Sequence, residues 1–395
     1  MKERRTKPRH NLFRFLVYLP TTIYLRCKIG FRKQKRYKLP KNGAIVLCNH
    51  QTDFDPLMLS SMFNRPIYYV CTDSVFSNKR LANFLDYCFA VIPKKKGAVD
   101  SSCVRSILQT IKENGCVGIF PEGNRTMAEF QFEIDPAIAK LVKKSKVDLV
   151  LCNIHGGTAV FPRFAKKARK GRITANVKRV IKPSEYENMS DEELTKIICD
   201  ELRVFDSIDG VKIKSNASAE YLERILFVCP KCGHMQTIYT VDDHVCCSKC
   251  DLDVIYDETS HFVSSDPEFK FKLLVDWYDY QKKYLLDLNL NEKTLFEDKD
   301  ITLYSSEVRV ERKVLSSGMI RLTKDNLEFS DLSIPLKDIE IASVISGNQF
   351  NFTADGKNYL VKGHPRFNAL KYVLAFIKLD TKMHQNKADH FFGLE

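Results

Sequence analysis

The sequence lacks an uncharged run long enough to cross a bilayer, a secretory leader, internal repeats and low-complexity tracts. Its apolar stretch near the start, residues 12–31, is broken by Arg14, Arg26 and Lys28, leaving only residues 15–25 free of charge. A spanning helix needs about 20 apolar residues, so none is expected here. Without a leader, the 13 cysteines imply a reducing compartment, where thiols stay free or bind metal. Acid is scarce in two blocks. Residues 1–38 hold 13 Lys or Arg against one Glu, and residues 163–182 hold nine against none, within a net charge of +13. Such blocks seek phosphate, on nucleic acid or on an anionic bilayer. No recognition helix or aromatic-basic platform accompanies them, which argues against nucleic acid.

The 395 residues suffice for two or three domains with their own cores. Residues 1–38 read as a basic amphipathic segment lying in the headgroup layer, apolar face down and Lys/Arg up. A buried N-terminal helix with a basic rim is the alternative, at the cost of burying charge. The expected location is the cytoplasmic face of a membrane, peripheral or monotopic, against an anionic surface.

Residues 39–215 alternate strand and helix, the pattern of an α/β domain. Asp100 or Ser101 caps a helix carrying Val104, Ile107, Leu108 and Ile111 and stopped by Gly115. Ser190 and Glu193 form a capping-box signature for another. Residues 44–48, AIVLC, read as a buried strand delivering Asn49-His50-Gln51-Thr52-Asp53-Phe54-Asp55-Pro56. Asp55 can accept from one ring nitrogen of His50 and fix its tautomer, leaving the other nitrogen as a base. An isolated pair at this interval reads first as a surface histidine with acidic neighbours, because catalytic pairs are defined by geometry.

A second string, Phe120-Pro121-Glu122-Gly123-Asn124-Arg125-Thr126, changes that balance. The two strings in this order resemble those of the 1-acylglycerol-3-phosphate acyltransferase family of glycerolipid acyltransferases, over roughly residues 10–210. Thr52, Asn124 and Thr126 stand where that family has Ser, Thr and Ser, polar for polar. The resemblance implies a fatty acyl group moved from a thioester or acyl-phosphate donor (acyl-CoA, acyl carrier protein or acyl phosphate) to a lysophospholipid acceptor. With lysophosphatidic acid as acceptor the product is phosphatidic acid, and His50 is the general base. It also implies a phosphate site: Arg125 as a bidentate fork, with Lys96, or next Lys95, where the family usually has Arg. Glu122 holds that Arg or a substrate hydroxyl, or is a plain helix-start acid. Gly123, which lets backbone approach a ligand closely, is an oxyanion candidate. Ile134-Asp135-Pro136-Ala137 and residues 150–154 depart from the family's later blocks, so the acceptor is less fixed than the reaction class. Another lysophospholipid or glycerol 3-phosphate, or a non-catalytic lipid-binding scaffold, are the alternatives.

Beyond the resemblance, residues 225–257 carry Cys229, Cys232, Cys247 and Cys250 as two Cys-x-x-Cys knuckles 14 residues apart. This spacing points to a structural four-thiolate Zn2+ site of the ribbon type, with iron as the lesser alternative. Cys246 is a spare neighbour, and His234 or His244 can replace one thiolate. Asp266-Pro267 is expected to open a linking helix over 266–290. Residues 300–380 then read as seven strands (301–304, 308–314, 319–322, 327–330, 341–345, 350–353 and 359–361) and a closing helix. They resemble the pleckstrin-homology-like domains, including the GRAM type.

Overall fold

A computed structural model describes residues 4–33, 35–72, 79–94, 100–129, 134–288, 294–307 and 310–383. The chain divides into two compact units. The first holds residues 1–126, 130–162 and 170–211, and the second holds 127–129, 163–169 and 212–395.

The first unit contains α1 (Pro8–Ile29), β1 (Phe31–Lys33), β2 (Ala44–Cys48), α2 (Asp55–Met62), β3 (Ile67–Thr72), α3 (Lys79–Phe89) and β4 (Ile92–Lys94). These are followed by α4 (Ser101–Lys112), β5 (Cys116–Ile119), α5 (Ala137–Ser145), β6 (Asp148–His155), α6 (Gly157–Val160), β7 (Ile173–Ile181), α7 (Pro183–Tyr186) and α8 (Asp191–Leu202). The strands form one sheet in the order β1-β7-β6-β2-β5-β3-β4. β2 runs parallel to both neighbours, β5 and β6, while β7 returns antiparallel to β6. All five β2 residues are buried, as a strand covered on both faces requires. The C-terminal ends of β2 and β5 therefore lie side by side, where ligands bind in open α/β sheets.

Local signals account for the helix starts. Asp100 accepts from the Ser102 and Cys103 amides, and Ser190 and Glu193 exchange both capping-box bonds. α4 stops before Gly115, with Asn114 in the left-handed region at φ 60°. α1 is longer than its uncharged stretch. Of its side chains, Leu12, Phe15, Leu16, Leu19 and Ile23 are exposed, at the i, i+3, i+4, i+7 spacing of one face. Among the described residues, no helix is long and apolar enough to cross a membrane.

The second unit begins with a small antiparallel sheet of β8 (Ile238–Val241), β9 (His244–Cys247), β10 (Asp253–Tyr256) and β11 (Phe262–Val263), ordered β11-β10-β9-β8. α9 (Leu274–Asp287) comes next. Its start corrects the helix expected from Asp266-Pro267. Residues 271–273 instead run beside β11, with the Phe262 amide donating to the Lys272 carbonyl at 2.8 Å and His261 bridging Leu273. Strand pairing thus overrides the proline signal, and Asp276 accepts the Leu273 amide at the true start at 2.8 Å. The end of the expected helix, 289–290, lies outside the described residues.

Among the described residues, seven more strands follow: β12 (Thr294–Ser305), β13 (Val314–Thr323), β14 (Asn326–Phe329), β15 (Ser333–Pro335), β16 (Ile339–Ile345), β17 (Gln349–Ala354) and β18 (Lys357–Lys362). They form one antiparallel sheet in the order β15-β14-β13-β12-β18-β17-β16, followed by α10 (Leu370–Met383). The number seven agrees with expectation, but the strands are not the same seven. The strand expected at 319–322 lies within β13, but of the one expected at 308–314 only Val314 is in a strand; residues 310–313 are not, and 308–309 lie outside the described residues. β15 was not foreseen, and β12 starts at Thr294 through a polar stretch that bulges near Asp300, φ 55°. Over residues 370–379 α10 is buried nearly all round, and its Lys371 reaches Asp298 at 2.6 Å. The basic block 163–182 is likewise not all phosphate-seeking surface. Arg163 and Arg169 are buried in the second unit, donating to the Val344 and Ser218 carbonyls.

Candidate active site

β2 ends at Cys48, and the next side chain lets the chain leave the sheet. The Asn49 amide mimics one more ladder rung: its oxygen accepts from the Ile154 N–H at 2.8 Å and its nitrogen donates to the Ile154 carbonyl at 2.9 Å. The turn beyond it wraps around one carboxylate. Asp55, the first residue of α2, is fully buried. Its Oδ2 accepts from the Gln51 amide at 2.7 Å and from His50 Nδ1 at 2.8 Å. Oδ1 accepts the Thr52 hydroxyl at 2.6 Å, and the Thr52 amide straddles both oxygens at 3.0 Å. An ionised carboxylate only accepts, so His50 Nδ1 carries the proton and Nε2 is left with the lone pair. The imidazole face stacks on Phe120 at 4.3 Å and 22°, and Phe120 stacks in turn on the half-buried Tyr69 at 6.0 Å. Burial pushes the Tyr69 phenol well up, so it stays protonated beside the site.

The second string reaches the first through the His50 peptide. Leu47 and Ile119 are register partners on adjacent parallel strands, so Phe120 and the rest of its string emerge next to His50. The buried Glu122 accepts the His50 amide at 3.1 Å, and the Thr126 amide donates to the His50 carbonyl at 3.0 Å. Between them, Gly123 sits at φ 66° with no atom within 4 Å of where a Cβ would project, an open approach that glycine alone adopts without strain. Its N–H closes a turn on the Phe120 carbonyl at 3.1 Å, so in this state it is not a spare oxyanion donor. Arg125 Nη1 pairs with Asp53 Oδ2 at 2.8 Å, with Asp53 largely exposed. The structure thus gathers His50, Asp55, Glu122, Gly123 and Arg125 around one strand end. Lys95 and Lys96 lie outside the described residues. The expected metal ligands Cys229, Cys232, Cys247 and Cys250 come together in the second unit, their sulfurs all within 4.8 Å of one another.

One contributor went unforeseen. Asp206 is fully buried and accepts from the amides of Gly156 at 2.7 Å and Thr158 at 2.9 Å, and from the Thr158 hydroxyl. The Gln51 side chain also bonds to it, and Gln51 Oε1 accepts the Gly157 amide at 2.9 Å. Burial drives the Asp206 carboxyl above its ordinary range, against the opposing pull of these donors. Since Gln51 also gives its own amide to Asp55, Asp206 braces the turn that holds the His50 ring. No sequence interval marks an aspartate 156 residues beyond His50 as its neighbour.

The Acyltransferase family model matches residues 30–155. The chain is similar to a 1-acyl-sn-glycerol-3-phosphate acyltransferase of Bacillus subtilis (strain 168), 25% identical over 193 residues, which are 43% of this chain and 94% of that protein. Among solved structures it matches the 1-acyl-sn-glycerophosphate (LPA) acyltransferase PlsC from Thermotoga maritima, 17% identical, over 51% of this chain and 81% of that one, with a TM-score of 0.42. Both strings and the His50–Asp55 pair fall inside the stretch that the family model matches.

Proposed function

We propose that this chain moves a fatty acyl group from a thioester or acyl-phosphate donor to the free hydroxyl of 1-acylglycerol 3-phosphate, making phosphatidic acid. The observation that carries the reading is the 2.8 Å bond from His50 Nδ1 to a buried carboxylate, which leaves Nε2 as the base. Nε2 takes the hydroxyl proton as the acceptor oxygen attacks the acyl carbonyl. The tetrahedral intermediate collapses with loss of the C–S bond, or the C–O bond of an acyl phosphate. The imidazolium returns its proton to the departing thiolate or phosphate. No enzyme nucleophile is needed. The activity for which the Bacillus relative is named supports the choice of acceptor. The test incubates the full chain with lysophosphatidate, other lysolipids and glycerol 3-phosphate against acyl-CoA, acyl carrier protein and acyl phosphate, reading products by mass. A new ester with another acceptor would reassign the substrate; none with any pair would leave a lipid-binding scaffold.

Arg125 is the proposed phosphate fork. Its partner Asp53 is largely exposed, so a substrate phosphate can compete with that carboxylate for the guanidinium fork. Arg125→Lys should raise KM for the phosphate-bearing acceptor by about tenfold or more, while KM for the acyl donor changes little. Equal changes for both substrates would assign Arg125 to structure.

The membrane assignment rests on α1. Its exposed stripe is extended by Phe84 and Tyr87 of α3, both exposed, with Phe13 against Tyr87 at 6.0 Å. Arg9, Arg26 and Lys28 flank it in sequence, as expected of a helix lying in anionic headgroups, whereas Arg14 turns inward and donates to the Phe63 carbonyl. The double change Phe15→Glu with Leu19→Glu should remove most co-sedimentation with anionic vesicles. Retained binding would place the membrane surface elsewhere. In the second unit, β12 to β18 with α10 are read as a pleckstrin-homology-like module.

A further inference from the structure

We propose that Cys229, Cys232, Cys247 and Cys250 bind one zinc ion that clasps the small sheet of the second unit to α9. Cys229 and Cys250 sulfurs lie 3.6 Å apart, and those of Cys232 and Cys247 lie 3.8 Å apart. A tetrahedron with Zn–S bonds of about 2.3 Å has sulfur–sulfur edges of about 3.8 Å. Disulfides need about 2.05 Å, so neither pair is bonded, and all four cysteines are free thiols. The set is also selective. Cys246 sits on the outer face of the sheet against Asp253 at 3.7 Å, and His244 is held by the same carboxylate at 2.6 Å. The cluster contains neither of them, nor His234.

The backbone is shaped for thiolates. The amides of Lys231 and Cys232 point at the Cys229 sulfur, those of Lys249 and Cys250 at Cys247, and that of Leu252 at Cys250. Such N–H donors neutralise part of the charge of a metal-bound sulfur. Gly233, at φ 72°, turns the first knuckle back so that its amide donates to the Cys229 carbonyl at 2.9 Å. Four protein thiolates close the coordination sphere, so the ion is structural and offers no position to substrate.

The anchoring of each knuckle decides which elements the ion joins. Residues 225–228, entering Cys229, take partners from α9. Trp277 Nε1 donates to the Val228 carbonyl at 2.9 Å, and Gln281 bonds both the Phe227 amide at 3.0 Å and the Ile225 carbonyl at 2.8 Å. Trp277 and Gln281 are four apart, on one helical face. Cys247 instead belongs to β9. Between the knuckles, Ile238 and Val245 are buried while Tyr239 and Val241 are exposed, too little for a core of its own. A cation held by one pair from each knuckle therefore couples α9 to the sheet.

The test uses the full chain purified under reducing conditions without added metal or chelator. Elemental analysis should find about one zinc per chain, and exchange into cobalt should give the thiolate charge-transfer absorbance of a four-sulfur site. Cys232→Ser should lower zinc loading by at least tenfold, whereas Cys246→Ser should keep it. Should Cys232→Ser fail to fold, removal of zinc from the native chain gives the same information by hydrogen exchange. Exchange should rise in peptides covering 225–256 and 274–287 and stay unchanged in 44–62. Iron or no metal in the native protein, undiminished loading in Cys232→Ser, loss of loading in Cys246→Ser, or unchanged exchange in 225–256 would each overturn the proposal.

Discussion

Replacing His50 with Ala should abolish acyl transfer, lowering kcat by at least about 10²–10⁴-fold, with the unfolding transition close to native. The chemistry is lost because Nε2 is the basic nitrogen of the pair. The fold survives because the contacts that knit the two strings use the His50 backbone, and alanine keeps both. Its N–H still donates to Glu122 and its carbonyl still accepts from Thr126. Asp55 loses one donor and keeps the Gln51 amide, the Thr52 amide and the Thr52 hydroxyl. Asp55→Asn is a different experiment. An amide nitrogen turned toward any of these donors meets another donor, so the ring loses its fixed tautomer and the turn loses a bond. Turnover should drop severely but less than in His50→Ala, with a measurable cost in stability. Folded His50→Ala protein with near-native turnover would refute His50 as base.

Both strings were legible because the residues that each brings to the site are close together in sequence. The His50–Asp55 contact needs only one turn and the start of one helix, and glycine at 123 advertises its left-handed backbone. The apolar run at 44–48 announces a buried strand, though not that it lies beside the strand leading into the second string; that adjacency is a register choice made by the whole sheet. The cysteine pairs were legible for the same local reason, two short knuckles with fixed spacing. Features set by distant pairing stayed hidden. Asp266-Pro267 carries a sound helix signal, yet pairing along β11 delays α9 to Leu274. Strand limits in β12 and β13 moved because bulges break the polar–apolar alternation. Arg163 and Arg169 look like surface charge in a basic block, but carbonyls supplied from far along the chain bury them. Asp206 is the most informative omission, since its role exists only once residues 51, 156 and 158 are brought around it.

Asp206→Ala should destabilise the first unit by about 2–4 kcal/mol, because several buried donors lose their acceptor. The carboxylate is the common acceptor for the Gly156 amide and for both the amide and hydroxyl of Thr158. A buried donor left without an acceptor costs about 1–3 kcal/mol, and relaxation recovers part of the sum. The damage should not stay local. Gln51 leans on Asp206 and on the Gly157 amide, and Gln51 gives its own N–H to the same Asp55 oxygen that holds His50. The braced turn also leads into Phe161, whose ring lies 5.8 Å from Phe54 inside the first string. Asp206→Asn keeps the shape and one acceptor but aims an NH2 at the same donors, so it should fall between Asp206→Ala and the native chain. Gln51→Leu cuts the relay without emptying the carboxylate site. It should lower kcat more than stability, because the Asp55–His50 alignment loses its side brace. Urea unfolding followed by a probe in the first unit gives the stability, and the transfer assay gives kcat for each variant. An Asp206→Ala chain within about 1 kcal/mol of native would mean that the 156–158 turn is held by something other than this carboxylate. A Gln51→Leu enzyme with unchanged kcat would confine Asp206 to the fold and remove it from the positioning of His50.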